Sequence, residues 1–292
     1  MSLGCFYVLC RWLHFAALMT LTGGAAFTAL LAPARFRPQL VQRLDKMLAA
    51  AALLSLLTAL LLLAAQTGLM ADGWNDIVKA PVWQAVLQTR FGQVWQWQLA
   101  MALPGVVALL FRGRARQSLL LLSGTGQLVG LAFVGHAAML DGIAGWLQRA
   151  NQIVHLLSAA FWAGGLIPVA ILMRDMSRFP ASYDAVRTLM RFSRYGHLAV
   201  ALVIFSGLVN AFILLPAWPP TFGRYTQLLL VKTLLVALMC CLALFNRYWL
   251  VPRFQSSGVS ARHIFMLTTL AEVLLAALVL GLVSFFATLE PA

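Results

Sequence analysis

Three of the five histidines are placed where they could bind one metal ion together. His14 lies within a long apolar segment, and His136 and His155 flank a short polar connection between two other apolar segments. Imidazole is the commonest metal ligand in proteins and suits both copper and haem iron. Met139 follows His136 by three residues, so it shares a helix face with it if the helix continues that far, and its thioether suits Cu(I). The sequence therefore predicts a metal site formed by His14, His136, His155 and Met139.

Two kinds of ligand and one ligand-free interpretation fit this set of histidines. A copper ion would be captured by the three imidazoles with help from the thioether. Haem b would instead take two of the histidines, on facing helices, as its axial ligands. In the third interpretation the histidines only cap helices or form hydrogen bonds, and the protein is a membrane scaffold. A site for a hard cation is not expected, because the carboxylates that such a cation prefers are dispersed along the chain.

Two charged residues interrupt the last two apolar segments of the chain. Lys232 lies in the first of these segments and Glu272 in the second. An unpaired charge inside a membrane is costly, so we expect the two side chains to form an intramembrane ion pair between antiparallel helices. The alternative is that they belong to a path for cations or protons.

Eight apolar segments are long enough to carry these residues through a membrane. The chain is 62% hydrophobic and 10% charged, which is more apolar than a soluble domain of 292 residues can bury. A membrane-spanning helix needs about 20 apolar residues, and the segments lack the alternation of strands. The sequence therefore predicts an all-α membrane protein with eight transmembrane helices, at residues 7–32, 47–69, 94–111, 117–136, 152–173, 195–215, 226–246 and 264–288.

The basic residues predict the orientation of these helices. Fifteen of the 21 lysines and arginines lie in four alternate connections, and only four lie in the others. Basic connections remain on the cytoplasmic side, so we expect both termini on the outer side of the membrane. The same distribution of basic residues accounts for the net charge of +13. We therefore expect the protein to be surrounded by membrane lipid, and we expect no nucleic-acid partner.

Motifs of enzymes and of ATP-driven pumps are absent from the sequence. The chain contains no GxxxxGKS or GxxxxGKT, no GxGxxG after a strand, no HExxH and no GxSxG. We therefore expect no catalytic residues and a protein that is not an enzyme.

Short motifs recur in the same order in the two parts of the chain. HFAALMTLTGG (14–24) and HLLSAAFWAGG (155–165) each contain a histidine, eight intervening residues and then a Gly-Gly pair. QTGLM (66–70) matches FSGLV (205–209), and FGQ (91–93) matches FGR (222–224). This order predicts a single membrane domain built from two tandem four-helix halves in the same orientation, residues 1–140 and 141–292.

Several stretches of the chain resemble the copper resistance protein D family of bacterial inner membranes. The likeness runs over nearly the whole chain and is carried by GHA (135–137), HLLSAAFWAGGLIP (155–168), RFSRYGH (191–197), LLLVKTLLVALMCCLALFNRYWLVPR (228–253) and FATLEP (286–291). The resemblance implies eight spans in a bacterial inner membrane, so that both termini are expected to be periplasmic. It also implies a role in copper uptake or homeostasis and a periplasmic copper-binding partner of the CopC type. We therefore expect a copper-handling membrane protein, with a haem b redox protein as the alternative.

Overall fold

The computed structural model describes residues 1–135, 139–176, 182–215, 223–254 and 258–286, and these residues are almost all helical, with no strand among them. Two π-helical segments, Phe27–Leu31 and Asn246–Leu250, continue the first and eighth α-helices. The prediction of an all-α chain is thus confirmed. The α-helices are α1 (Leu3–Ala26), α2 (Arg37–Leu69), α3 (Ala80–Gln88), α4 (Arg90–Val107), α5 (Gly113–Leu131), α6 (Gly142–Arg174), α7 (Ser182–Leu214), α8 (Arg224–Phe245) and α9 (Gly258–Phe286).

Six helices of the described chain are long and apolar enough to cross a membrane. These are α1 and α8 with their continuations, α2, α6, α7 and α9. The other two predicted spans form α4 and α5, whose glutamine, serine and arginine residues lower their mean hydropathy. With 18 residues, α4 reaches about 27 Å. It packs along α5 and against α2, while α5 also packs on α1. The six apolar helices therefore establish a multi-pass membrane protein, and α4 and α5 belong to the same bundle.

Several helices extend beyond the apolar segments that predicted them. α2 begins at Arg37, ten residues before the predicted start, and Pro38 occupies its first turn, where proline is favoured. The short helix α3 was not predicted, and Thr89 ends it and begins α4 by accepting a hydrogen bond from the Gly92 N–H at 3.1 Å. Polar residues can continue a helix outside the membrane, so the length of an apolar run underestimates the length of the helix.

Helix α1 is the centre of the bundle. It packs against α2, α5, α6 and α9, and it is mostly buried. It approaches α6 most closely at Gly23 and Gly164, since a Cβ at either position would overlap the backbone of the other helix. The first parts of α1 and α6 share one core cluster and their later parts share another, so the helices run in the same direction. His14 and His155 each lie nine residues before these glycines, and therefore at one level of the bundle.

The two ends of the bundle differ in charge. One end, named here the arginine-rich end, carries the connections α1–α2, α4–α5, α6–α7 and α8–α9. Two ion pairs lie at this end. Arg35, in the connection between α1 and α2, pairs with Asp184 of α7 at 2.5 Å, and Arg116 of α5 pairs with Asp45 of α2 at 2.7 Å. The opposite end, named the N-terminal end, carries the first residues of the chain, helix α3 and the start of α6.

Candidate metal site

A cavity of about 1100 Å³ opens at the N-terminal end of the bundle. Its described lining comes from every α-helix except α3 and is mostly apolar. Five of the polar or charged side chains that line it are His14, His155, Gln152, Arg11 and Lys232. An apolar pocket with a few convergent polar groups is the usual form of a ligand site. The cavity therefore brings together two of the predicted metal ligands, His14 and His155.

The imidazole of His14 is held by a hydroxyl group on the neighbouring helix. His14 is 1% exposed, and its Nδ1 lies 2.9 Å from Oγ1 of Thr58 on α2. The Thr58 hydroxyl donates its only hydrogen to the carbonyl of Leu54, at 2.6 Å. With that hydrogen on the Leu54 carbonyl, Nδ1 of His14 carries the ring hydrogen and donates it to Thr58. The neutral ring then has an unprotonated Nε2, which is buried without a hydrogen-bond partner.

His155 repeats this arrangement on α6 and α7. Its Nδ1 lies 2.9 Å from Oγ of Ser206, and the Ser206 hydroxyl donates to the carbonyl of Leu202 at 2.5 Å. Nδ1 of His155 is thus the donor, and its Nε2 also keeps a free lone pair. The next residue, Gly207, lies beside the ring, since a Cβ there would be in van der Waals contact with Cε1 of His155 at 3.5 Å. Two neutral imidazoles in one cavity, each oriented through its other nitrogen, form a pair of potential metal ligands.

The hydroxyl groups that orient the histidines were not identified from the sequence. The motif comparison matched Thr67 with Ser206, but Thr67 donates to the carbonyl of Leu63 and does not contact His14. Thr58, nine residues earlier, makes the contact instead. The two motifs are short, so their similarity could not determine which threonine turns towards the first histidine.

The other two predicted ligands are not part of the described cavity. His136 lies outside the described residues. Met139 is 56% exposed in the connection before α6 and does not line the cavity. Helix α5 ends at Leu131, so the continuous helix that was required to place Met139 on a face with His136 is not formed. Within the described ranges, no three His, Cys, Asp or Glu side chains come together as a metal site.

Lys232 and Glu272 do not form the expected ion pair. Glu272 on α9 is buried and accepts a hydrogen bond from the Asn246 amide at 2.9 Å, and Asn246 also accepts from Thr268 at 2.5 Å. These contacts set the register of the antiparallel helices. Lys232 lies fourteen residues before Asn246 and therefore about 21 Å away along the axis, beyond the reach of a lysine side chain. It lines the cavity instead.

A buried polar cluster in the first half of the chain was also missed. The Gln127 side-chain amide donates to Oγ of Ser123 at 3.2 Å and to Oγ of Ser55 at 3.5 Å, and the Gln127 backbone carbonyl accepts from the Gln98 side-chain amide at 2.8 Å. All four side chains are completely buried. The signal was present on α5, where Ser123 and Gln127 lie four residues apart and therefore on one face of a helix. These hydrogen bonds join α2, α4 and α5 beside the helix that carries His14.

Comparison with known proteins decides the family. A family model described as Copper resistance protein D-like, N-terminal domain, matches residues 2–146, and a model described as Copper resistance protein D matches residues 186–286. Inner membrane protein YebZ of Escherichia coli (strain K12) is 41% identical over 98% of this chain and 98% of its own length. The chain belongs to the copper resistance protein D family.

Two further relatives have copper in their names. Copper resistance protein D of Pseudomonas syringae pv. tomato is 32% identical over 82% of this chain and 80% of its own length. Copper transport protein CutJ of Bacillus subtilis (strain 168) is 29% identical over 76% of this chain and 42% of its own length. No solved structure matches the chain. The resemblance to the copper resistance protein D family that the sequence motifs predicted is confirmed.

Proposed function

We propose that this protein binds copper in the cavity at the N-terminal end and moves it across a bacterial inner membrane. One observation carries the proposal: His14 and His155 line a single cavity, and each ring is held through Nδ1 by a hydroxyl group on the neighbouring helix. The names of the relatives support copper as the metal. Imidazole is a suitable copper ligand, and a fixed ring orientation raises metal affinity.

The proposed topology brings this cavity to the periplasm. Eight spans, α1, α2 and α4 to α9, would place both termini on the periplasmic side, because the arginine-rich end would face the cytoplasm. A periplasmic carrier of the CopC type would then deliver copper at the mouth of the cavity. His136, which follows the cavity-lining Gly135 in the sequence, and Met139 would complete the ligand set that the two cavity histidines begin.

The two halves of the chain would each contribute one ligand. His14 with Thr58 joins the first two helices of residues 1–140, and His155 with Ser206 joins the first two long helices of residues 141–292. The contact between Gly23 and Gly164 sets the two ligand helices side by side. This equivalence supports a duplicated four-helix unit with copper bound between the units.

Elemental analysis of the purified protein tests the proposal. After loading with copper and washing, the wild-type protein should retain close to one copper per chain with little iron. The His14→Ala, His155→Ala double variant should lose it. His197→Ala is the matched control, because His197 is exposed, lies on α7 outside the cavity and forms its hydrogen bonds with Ser193 and Tyr248 among the described residues. Copper retained by the double variant would contradict the proposed site.

Haem b is the second candidate ligand, and the size of the cavity favours it. A space of about 1100 Å³ is larger than a metal ion needs, and two histidines on neighbouring helices are a common pair of axial ligands. The same sample decides between the two, since haem would give stoichiometric iron and a porphyrin absorption band. Both signals should disappear in the double variant if His14 and His155 are the axial ligands.

A further inference from the structure

A second cavity, of about 380 Å³, opens on the outer surface of the bundle near the arginine-rich end. It is named here the arginine groove, and its lining residues lie between 29 and 37 and between 114 and 125. They belong to the π-helical continuation of α1, the first residue of α2 and the first half of α5. Leu30 and Leu122 of this lining are 62% and 52% exposed. The outer surface of a membrane bundle faces lipid, so the groove is open to lipid.

The arginine groove passes from the level of the lipid headgroups into the hydrocarbon layer. Arg114 and Thr125 of its lining are eleven residues apart on α5, and therefore about 16 Å apart along the helix axis. An arginine beside a membrane helix places its charge among the headgroups, whose layer is only about 5 to 8 Å thick on each side of a bilayer. The far end of the groove, at Leu121, Leu122 and Thr125, therefore lies among acyl chains.

Two arginines supply positive charge at the headgroup end of the groove. Arg37 begins α2, and Arg114 lies in the first turn of α5, so the positive ends of two helix dipoles lie there as well. Nη2 of Arg37 donates to the carbonyl oxygens of Ala29 and Ala32 at 3.4 Å, which holds its guanidinium group at the groove. A guanidinium group keeps its charge in proteins and matches the geometry of phosphate oxygens.

The carboxylates of the chain do not neutralise this charge. Three aspartates lie at the same end, but each pairs with another arginine and none lines the groove: Asp45, Asp175 and Asp184. Glu272 lies in the middle of α9. Glu290 and the C-terminal carboxylate follow Phe286, which lies at the N-terminal end, and six residues span at most about 22 Å. Helix α9 alone is about 43 Å long, so neither carboxylate reaches the groove.

A buried side-chain amide next to the arginines also lacks a partner. Gln117 lines the groove, lies one turn beyond Arg114 and is 1% exposed. Its Oε1 accepts a hydrogen bond from the Thr28 hydroxyl at 2.5 Å, and its Nε2 makes no hydrogen bond with a described residue. Nε of Arg37 is likewise buried without a partner in the described chain. Buried donors without an acceptor are costly, so a phosphate oxygen in the groove would stabilise them.

We infer that the arginine groove binds one anionic phospholipid, of the phosphatidylglycerol or cardiolipin type. Its phosphate pairs with Arg37 and Arg114 and accepts a hydrogen bond from the Gln117 amide, while one acyl chain lies along Leu121 and Leu122. A zwitterionic lipid binds less well, because its ammonium group meets two guanidinium groups. The bound lipid joins α1, α2 and α5 at the arginine-rich end. This inference does not depend on the copper site, which lies at the opposite end of the bundle.

Native mass spectrometry of the full-length protein in detergent tests the inference. Titration with phosphatidylglycerol should add one lipid per chain at a lower concentration than phosphatidylethanolamine does. Arg114→Gln should weaken phosphatidylglycerol binding about fivefold, the effect of one basic residue at an anionic headgroup. Arg112→Gln is the matched control, since Arg112 is exposed in the same connection but does not line the groove. Ser118→Phe keeps every charge and fills the groove, so it should also weaken binding.

Three results would overturn the inference. One is equal affinity for the two lipids, and another is an equal loss in Arg112→Gln and Arg114→Gln, since a diffuse charge effect would then explain the binding. The third is displacement of the lipid by excess inorganic phosphate, which would identify a site for a free anion. We expect the lipid to stay bound, because its acyl chain also contributes to the affinity. The copper content of Arg114→Gln should equal that of the wild-type protein, so the two proposals are tested separately.

Discussion

Removing the hydroxyl group of Thr58 should weaken copper binding although Thr58 does not touch the metal. The Thr58→Val variant keeps the shape of the side chain but offers no acceptor to Nδ1 of His14. The buried ring then either leaves the Nδ1 hydrogen unpaired or moves it to Nε2, where it blocks the metal. Both routes raise the free energy of the His14 tautomer that can bind the metal, by about the contribution of one hydrogen bond.

The expected loss follows from that hydrogen bond. A neutral hydrogen bond contributes about 0.5 to 1.5 kcal/mol, and about 1.4 kcal/mol corresponds to a tenfold change in affinity. We therefore expect copper affinity to fall up to about tenfold in Thr58→Val. The equivalent change on the other half, Ser206→Ala, should have a similar effect. The two together should approach a hundredfold loss if both histidines bind one ion.

The assay is a copper titration against a coloured competitor chelator. Thr67→Val is the matched control, because Thr67 lies on the same helix, is equally buried and donates only to the Leu63 carbonyl. A thermodynamic cycle supplies the decisive comparison: in a His14→Ala background, Thr58→Val should no longer change the affinity. If Thr58→Val weakens binding equally with and without His14, or not at all, the argument from ring orientation is refuted.

Three further predictions concern the helices and connections around the site. Gly164→Ala should lower the melting temperature and the yield by forcing α1 and α6 apart, at about 1 to 3 kcal/mol, whereas Gly196→Ala should have little effect because its Cβ would meet no atom within 4 Å. Gln127→Leu should cost about 1 kcal/mol of stability and leave copper affinity unchanged, since Gln127 does not line the cavity; a change in affinity would contradict this. The hydrogen bond from Lys79 holds the pKa of Asp76 below its usual range, so this connection should lose stability as the pH falls below about 4, and Asp76→Asn should remove that part of a melting-temperature profile.

The all-helical membrane fold and the common depth of His14 and His155 in the bundle could be predicted from the sequence. Long apolar runs determine membrane helices, and the equal spacing of His14 and His155 from their glycine pairs determined their common depth once α1 met α6. The glycines themselves carried the signal for that contact, because only small residues permit such an approach.

The partners of the buried polar groups could not be predicted in the same way. Thr58 and Thr67 are nine residues apart on one apolar helix, and composition does not show which one faces His14. The pairing of Lys232 with Glu272 was wrong for a similar reason: both lie within apolar segments, but the register of α8 and α9 is set by Asn246. Side-chain partners depend on helix register and rotation, which hydrophobic periodicity leaves undetermined in segments that are apolar on every face.

Pulsed electron paramagnetic resonance of the Cu(II)-loaded protein tests the central claim most directly. The method counts coordinated imidazoles through the remote ring nitrogen, which is Nδ1 when Nε2 binds the metal. We predict coupling to at least two imidazoles in the wild-type protein and the loss of one in each of His14→Ala and His155→Ala. A spectrum without imidazole coupling, or one that neither substitution changes, would contradict the account.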